Sequence, residues 1–314
     1  MISARHGDRM WAVAIAAGLW GTSALMREPL SAVLPAPTIV FYEHAIIALC
    51  LSPWILPAFR ALAAAGRRTV LAMAVVGGGS SAGATTLFTL AFTTGDPITP
   101  QVLQKMQPLF AIVLAVLVLG ERLRPRFALY AVPALAGAWL LAFPDPLAVS
   151  VSNAKGAALA LGAALLWACG TVLGRLAGAA LSPVHVTTVR FTIALPVALG
   201  ICAATGSSLA VGAAQVPLLL ALALIPGLAA LSLYYWGLGR TAASRATLAE
   251  LSFPLVSAVV GVALLGAAPA WSQWAGMAVV LAAVTAMALA RGSAAPTGVR
   301  APDPAPAPAA PSGP

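Results

Sequence analysis

Four ionisable side chains stand well inside otherwise apolar stretches: Glu43, Lys105, Arg190 and Glu250, with His44 beside the first. A charge at bilayer depth costs roughly 3 kcal/mol or more, so such groups face a bundle interior or a wet cavity and serve a ligand, a proton or one another. Lys105 belongs to the run Pro100-Gln101-Val102-Leu103-Gln104-Lys105-Met106-Gln107-Pro108, which leads into Leu109–Leu119, a stretch without a polar side chain. At helical spacing Gln101, Gln104, Lys105 and Pro108 share one face, so this helix should line a substrate path. Glu43 and Lys105 could hold the two ends of a zwitterion, or pair with each other as static neutralisation of buried charge. His44 could carry or relay a proton, since imidazole titrates near neutral pH, or simply bond a neighbouring helix.

The elements that position these groups are membrane spans. The chain is 61% hydrophobic and 8% charged, whereas a soluble domain carries about 25% charged residues, so it could not cover a water-facing surface. Ten runs are long enough to cross: roughly 11–27, 38–57, 69–93, 98–119, 125–143, 156–174, 184–204, 215–238, 246–266 and 271–290. Thirteen arginines (5, 9, 60, 67, 68, 122, 124, 126, 175, 240, 245, 291 and 300) fall on one side of the resulting plan, against Arg27 and Lys155 on the other. The positive-inside rule then places both termini in the cytoplasm, in the cell (inner) membrane. The basic residues are scattered singly, which fits topology control and gives no face for nucleic acid. Cys50, Cys169 and Cys202 lie in apolar runs and are expected to be free thiols.

An internal repeat follows. Gln107-Pro108-Leu109 through Leu119-Gly120 matches Phe253-Pro254-Leu255 through Leu265-Gly266 at an offset of 146, which also lays His44 on Arg190 and Gln104 on Glu250; an offset of 147 lays Trp20 on Trp167. Two five-helix halves of odd span number enter from opposite sides, giving an inverted-topology repeat with a site near the midplane. The fold class is therefore an all-α integral membrane protein of ten transmembrane helices in two inverted five-helix repeats. The segments are a cytoplasmic N-terminus (1–10), the first repeat (11–143), an extracytoplasmic linker (144–155), the second repeat (156–290) and an Ala/Pro-rich cytoplasmic tail (291–314) expected to be disordered.

At about 1.5 Å per residue, Glu43 and Lys105 lie roughly 8 and 10 Å from the outer ends of their helices, while Arg190 and Glu250 lie roughly 9 and 6 Å from the inner ends of theirs. Two charge clusters, Glu43 with Lys105 outside and Arg190 with Glu250 inside, are thus expected to flank a midplane cavity as gates or static pairs. Trp20, Tyr42, Trp167 and Tyr235 are candidate cavity aromatics, able to stack on a planar or cationic ligand or to pack. Pro108 and Pro254 are candidate helix kinks, each freeing a carbonyl one turn earlier. Gly77–Gly83, Gly170, Gly174 and Gly178 suit close helix contact; the first lacks the Gly-Lys-Ser/Thr of a phosphate loop.

Ten spans, two repeats, Trp20-Gly21 in the first helix, and Pro108 followed by Leu119-Gly120-Glu121-Arg122-Leu123 resemble the drug/metabolite transporter superfamily, EamA type, over residues about 10–290. In that family Gly-Glu usually follows the ninth helix; this chain has Gly266-Ala267 there. An arginine common in the second helix of each half is kept as Arg190, with His44 at the matching first-half position. The resemblance implies a secondary transporter that exports or exchanges small metabolites, amino-acid-like compounds among them, by alternating access. A passive facilitator or channel for an uncharged or aromatic metabolite is the alternative, and an intramembrane lipid-modifying enzyme a distant one. The expected partners are a small-molecule substrate and the lipid bilayer, with proton coupling open and a monomer plausible. No cofactor is expected, and no His/Cys/carboxylate set has metal-ligand spacing.

Overall fold

The structure, a computed structural model, describes residues 9–94, 97–119, 127–147, 151–238, 241, 249–250 and 252–292, and among these every regular element is a helix. The N-terminus before residue 9, the tail from 293 and the stretch Gly120-Glu121-Arg122 lie outside the described residues. The α-helices are α1 Met10–Gly21, α2 Ser23–Ser31, α3 Ala36–Cys50, α4 Ser52–Ala64, α5 Arg67–Val75, α6 Ala84–Ala91, α7 Ile98–Leu103, α8 Gln107–Leu119, α9 Phe127–Ala142, α10 Val151–Gly178, α11 Pro183–Ala204, α12 Val216–Leu222, α13 Ala230–Leu238, α14 Ser252–Leu264 and α15 Trp271–Gly292. Several join end to end. The stretches 67–94, 153–178, 183–204 and 216–234 are each long and apolar enough to cross a bilayer, and α3 with α4 makes a fifth if the bent pair counts as one span.

Local chemistry explains most boundaries. Ser182 caps α11 by accepting the His185 N–H, and Pro183 follows at the first helical position, where its missing N–H costs nothing. The expected straight helix over 38–57 is instead broken: α3 ends at Cys50, and α4 leaves at 88°. Pro53 sits in the first turn of α4 and would clash with a continuing helix, so the chain restarts there. Pro108 and Pro254 likewise fall in the first turns of α8 and α14, so they open helices rather than kink helix interiors. The strain ahead of Pro108 is taken up by a 3₁₀ turn over Gln104–Met106.

The repeat is visible in the backbone. π-helical turns occur at Val76–Gly83 and Ala223–Ala229, which begin 147 and end 146 residues apart. One holds Gly77-Gly78-Gly79 and the other Pro226, which cannot donate to the regular ladder, and both conditions favour a wider turn. Helices at matched positions pack on each other: α3 on α11, and α9 on α15. Small residues bring the second pair together. Gly137 and Gly276 meet at the crossing, flanked by Ala134, Ala138 and Val280, all buried. Gly77 similarly lets its turn approach Ile193 and the Arg190 carbonyl, and Gly170 faces Ser80; among the described residues nothing lies against Gly174 or Gly178. Lipid supplies no hydrophobic drive between helices, and this close packing stands in for it.

A β-carbon at Gly276 would lie 2.6 Å from both the Gly137 carbonyl oxygen and the Leu141 nitrogen, atoms of backbone that cannot swing away. Gly276→Ala should therefore destabilise the protein by about 1–3 kcal/mol. Thermal unfolding in detergent reads this directly, and an unshifted midpoint would mean the crossing is looser than the structure has it.

Candidate functional site

Arg27 is the most tightly held charge in the described bundle. It lies on α2, 5% exposed, and its Nη2 donates to both Glu43 oxygens at 2.8 and 2.7 Å. Its Nη1 donates to Thr89 Oγ1 at 2.6 Å, and that hydroxyl passes its own proton to the Thr85 carbonyl. The guanidinium also stands 5.7 Å from the Phe88 ring centroid. One cation thus ties α2, α3 and α6 together, with charge-assisted bonds in a site that excludes water.

Two expectations change here. Arg27 is expected to mark the outer side as a topology signal, but α2 continues through Pro29 to Ser31 and buries Arg27 inside the bundle. Glu43, expected to meet Lys105, meets Arg27 instead, whose Nη2 is shared by both carboxylate oxygens. Tyr42 also departs from its expected place among cavity aromatics. Its hydroxyl donates to the Leu209 carbonyl, and Thr38 one turn earlier donates to the Ser208 carbonyl, so this face of α3 fastens the segment after α11.

A second buried junction joins the halves. Gln101 on α7 is fully buried, and its Oε1 accepts from Ser257 of α14 at 3.0 Å and from Ser23 of α2 at 3.4 Å. Ile98, one turn before, packs where Gly261 of α14 has no side chain. A third junction involves the repeat-matched pair His44 and Arg190, which share Ser81: His44 Nε2 lies 3.0 Å and Arg190 Nε 3.1 Å from its hydroxyl oxygen. His44 Nδ1 contacts the Val40 carbonyl at 2.8 Å, and its ring faces Phe191. Arg190 was expected to meet Glu250; the wide turn at Ser80-Ser81 reaches it first.

The remaining polar groups are half-buried and neighbour one another. Tyr234 of α13 donates to Glu250 Oε1 at 2.6 Å and stacks on Trp20 of α1, centroids 4.9 Å apart. Lys105 places its Nζ 4.4 Å from the Phe253 ring centroid, a cation–π contact, and lies within electrostatic reach of Glu250. Lys105 has no ion pair within 4 Å among the described residues. Gln104 is half-buried beside it. Gln107 crosses to Thr171 of α10, whose neighbour Trp167 packs edge-on against Phe88. This set draws on α1, α7–α8, α10, α13 and α14, hence on both halves. A cation, an anion and aromatic faces that are only partly covered can bind a small molecule; Gln101, Glu43 and His44, sealed among protein groups, cannot without a rearrangement. The side chains of Tyr235 and Pro108 lie outside the described ones.

Ser257 falls where helical spacing puts it, on the small or polar face of the ninth span with Thr247, Glu250, Pro254 and Gly261, but sequence reasoning missed Arg27, Ser23 and Ser81 as site residues. A signal for the first existed: Ser23, Arg27 and Ser31 recur every four residues, a polar stripe on one helix face.

The EamA-like transporter family matches the chain twice, over residues 9–143 and 154–289. A riboflavin transporter, ImpX, of Fusobacterium nucleatum subsp. nucleatum is 29% identical over 259 residues, 79% of this chain and 86% of that protein. One solved crystal structure, 22% identical, covers 90% of this chain and 98% of its own with a TM-score of 0.58, a likeness of fold.

Breaking the Arg27–Glu43 pair from one side leaves an uncompensated buried charge. Glu43→Gln or Arg27→Met alone should cost about 3–5 kcal/mol of stability, while the double variant Arg27→Met/Glu43→Leu should recover most of it. Denaturation midpoints of the four proteins test this; a double variant as unstable as the sum of the singles would contradict it.

Proposed function

The chain belongs to the EamA-like transporter family, and from that premise we propose that it is a secondary transporter working by alternating access, with ten spans in two inverted halves and both termini on the cytoplasmic side of the cell (inner) membrane. The observation that carries the reading is the half-buried set built from both halves, in which Lys105 and Glu250 stand as separate poles among Trp20, Tyr234 and Phe253. The packing of α3 on α11 and of α9 on α15 supports a two-fold axis in the membrane plane. An in-plane axis runs through the whole molecule, so matched helices can meet at two separate places along it.

The substrate is a small metabolite, amino-acid-like or related, with its carboxylate toward Lys105 and its amine toward Glu250. Glu43 no longer serves as the anionic pole, because Arg27 holds it. A planar heteroaromatic compound is the second reading. The aromatic faces around the two charges favour it, as does the similarity to a riboflavin transporter. The driving force is a gradient, and transport is export or exchange.

Counterflow in proteoliposomes, run with labelled amino acids and separately with riboflavin, with and without a pH gradient, decides between these. Saturable exchange of one of them should fall at least about tenfold in Lys105→Met and in Glu250→Gln, as expected when a charge-assisted contact worth roughly 1.5–3 kcal/mol is lost. Unaltered exchange in both variants would remove the charged poles from the site. Non-saturating flux indifferent to any gradient would make the protein a passive facilitator.

A further inference from the structure

α4 lies across the bundle rather than along it. It leaves α3 at 88°. α3 has 15 residues and so rises only about 22 Å, short of the roughly 30 Å hydrocarbon core. The turn after α4 leads directly into the stretch 67–94, which is long enough to cross. α4 therefore runs at the level where spans begin, the boundary between acyl chains and headgroups.

Both faces of α4 are mainly apolar. Ala58 and Leu62 are buried, and with Phe59 they pack with Met73 of α5, Ala177 of α10 and Val189 of α11. The opposite face, Pro53, Leu56, Arg60, Ala63 and Ala64 at helical spacing, is exposed, and Trp54 at its edge is 45% exposed. Lipid covers such a face without cost, and an indole at its edge suits the membrane–water boundary.

The corner beyond α4 is basic. Gly66 turns the chain at φ 86°, and Arg67 and Arg68 open α5, both exposed like Arg60. One turn further on, Val70 and Leu71 are exposed again. Among the described residues, none of these three arginines has a side-chain hydrogen bond or ion pair. The sequence has no acidic residue between Glu43 and Asp96 or between Asp145 and Glu250. α4, α5, α10 and α11 thus bring no carboxylate to the corner, and Glu43 of α3 is held by Arg27. The last carbonyls of α4 and the first N–H groups of α5 meet there with partial charges of opposite sign, so they leave the balance to the side chains.

We propose that the α4–α5 corner is a docking surface for anionic phospholipid. The guanidiniums of Arg60, Arg67 and Arg68 take the headgroup phosphate, for which their planar forks are suited. Leu56, Trp54, Val70 and Leu71 lie along the acyl chains. Free phosphate would satisfy the arginines and leave the apolar side chains uncovered, whereas a lipid satisfies both. The site goes beyond the transport reading and does not rest on it.

The test uses full-length protein, delipidated in a neutral detergent and titrated with phosphatidylglycerol and separately with phosphatidylcholine, with bound lipid counted by native mass spectrometry. Phosphatidylglycerol should bind at least about tenfold more tightly. Arg60→Gln/Arg67→Gln/Arg68→Gln should bring that ratio near one. Arg122→Gln/Arg124→Gln/Arg126→Gln, which removes the same charge from the segment after α8, should leave it within about twofold. No preference in the parent would overturn the proposal. So would equal loss in both triple variants, since the net charge of +9 would then account for the binding. Displacement of phosphatidylglycerol by inorganic phosphate would make the corner a plain anion site and overturn it too. Should the first triple variant not fold, Arg60→Gln and Arg68→Gln singly should each lower the ratio about two- to fivefold, and a ratio unmoved by either would count against the site. No readout here involves counterflow, so the transport reading stands or falls separately.

Discussion

The bundle depends on the burial of one charge pair. Arg27 and Glu43 sit on helices that also share an apolar cluster of Met26, Leu30 and Ile39, and neither charge can be left alone in a medium without water. That constraint fixes the depth of α2 against α3 and brings Thr89 of α6 into the same contact. A guanidinium suits the place better than an ammonium would. Its planar fork reaches the carboxylate and a hydroxyl at once, whereas a lysine offers a single point. Phe88 then lies against the cation and passes the contact to Trp167 of the second half.

From this anchor the two halves divide their work unequally. Their backbones repeat, down to the π turns, but the chemistry at matched positions differs. His44 and Arg190 meet on a serine that belongs to one half only. Gln104 matches Glu250, so one half contributes a neutral group where the other contributes a carboxylate. Between α7 and α14 the halves meet through Gln101, bonded to Ser257 across the seam and to Ser23 within its own half, and through Ile98 set into Gly261, both without ions. A seam of neutral hydrogen bonds and one apolar contact can part at modest cost, while the Arg27–Glu43 pair holds α2 and α3 together as a unit. On the proposed alternating-access reading, the seam is the part of the structure suited to open, and the ion pair the part suited to stay.

Much of this is legible in the sequence. Gln101, Gln104 and Lys105 recur at helical spacing and mark the polar face of α7 and its continuation. The offset of 146 residues shows the repeat, because Pro108 and Pro254 punctuate it in the same way. What the residues do not reveal is which buried charge meets which. Counting residues from a helix end gives a depth but no direction around the axis, so Glu43 and Lys105 look like partners at one level when α2 in fact lies between. Arg27 escapes notice for a related reason: Arg27-Glu28-Pro29 reads as a break, and only the packing of α3 against α2 makes helix the better choice there. The π turn that brings Ser81 to Arg190 is likewise unreadable beforehand, since a glycine run permits several backbone paths and tertiary contact selects one.

The central claim is that the α7–α14 seam opens and closes as substrate crosses. It is tested most directly by Ile98→Cys/Gly261→Cys in a background without native cysteines, where the two side chains would stand within disulfide reach. Oxidation should stop counterflow completely, and reduction should restore it, with each single variant unaffected by oxidant. Undiminished exchange by a fully cross-linked protein would contradict the claim, since the seam would then be a fixed part of the wall.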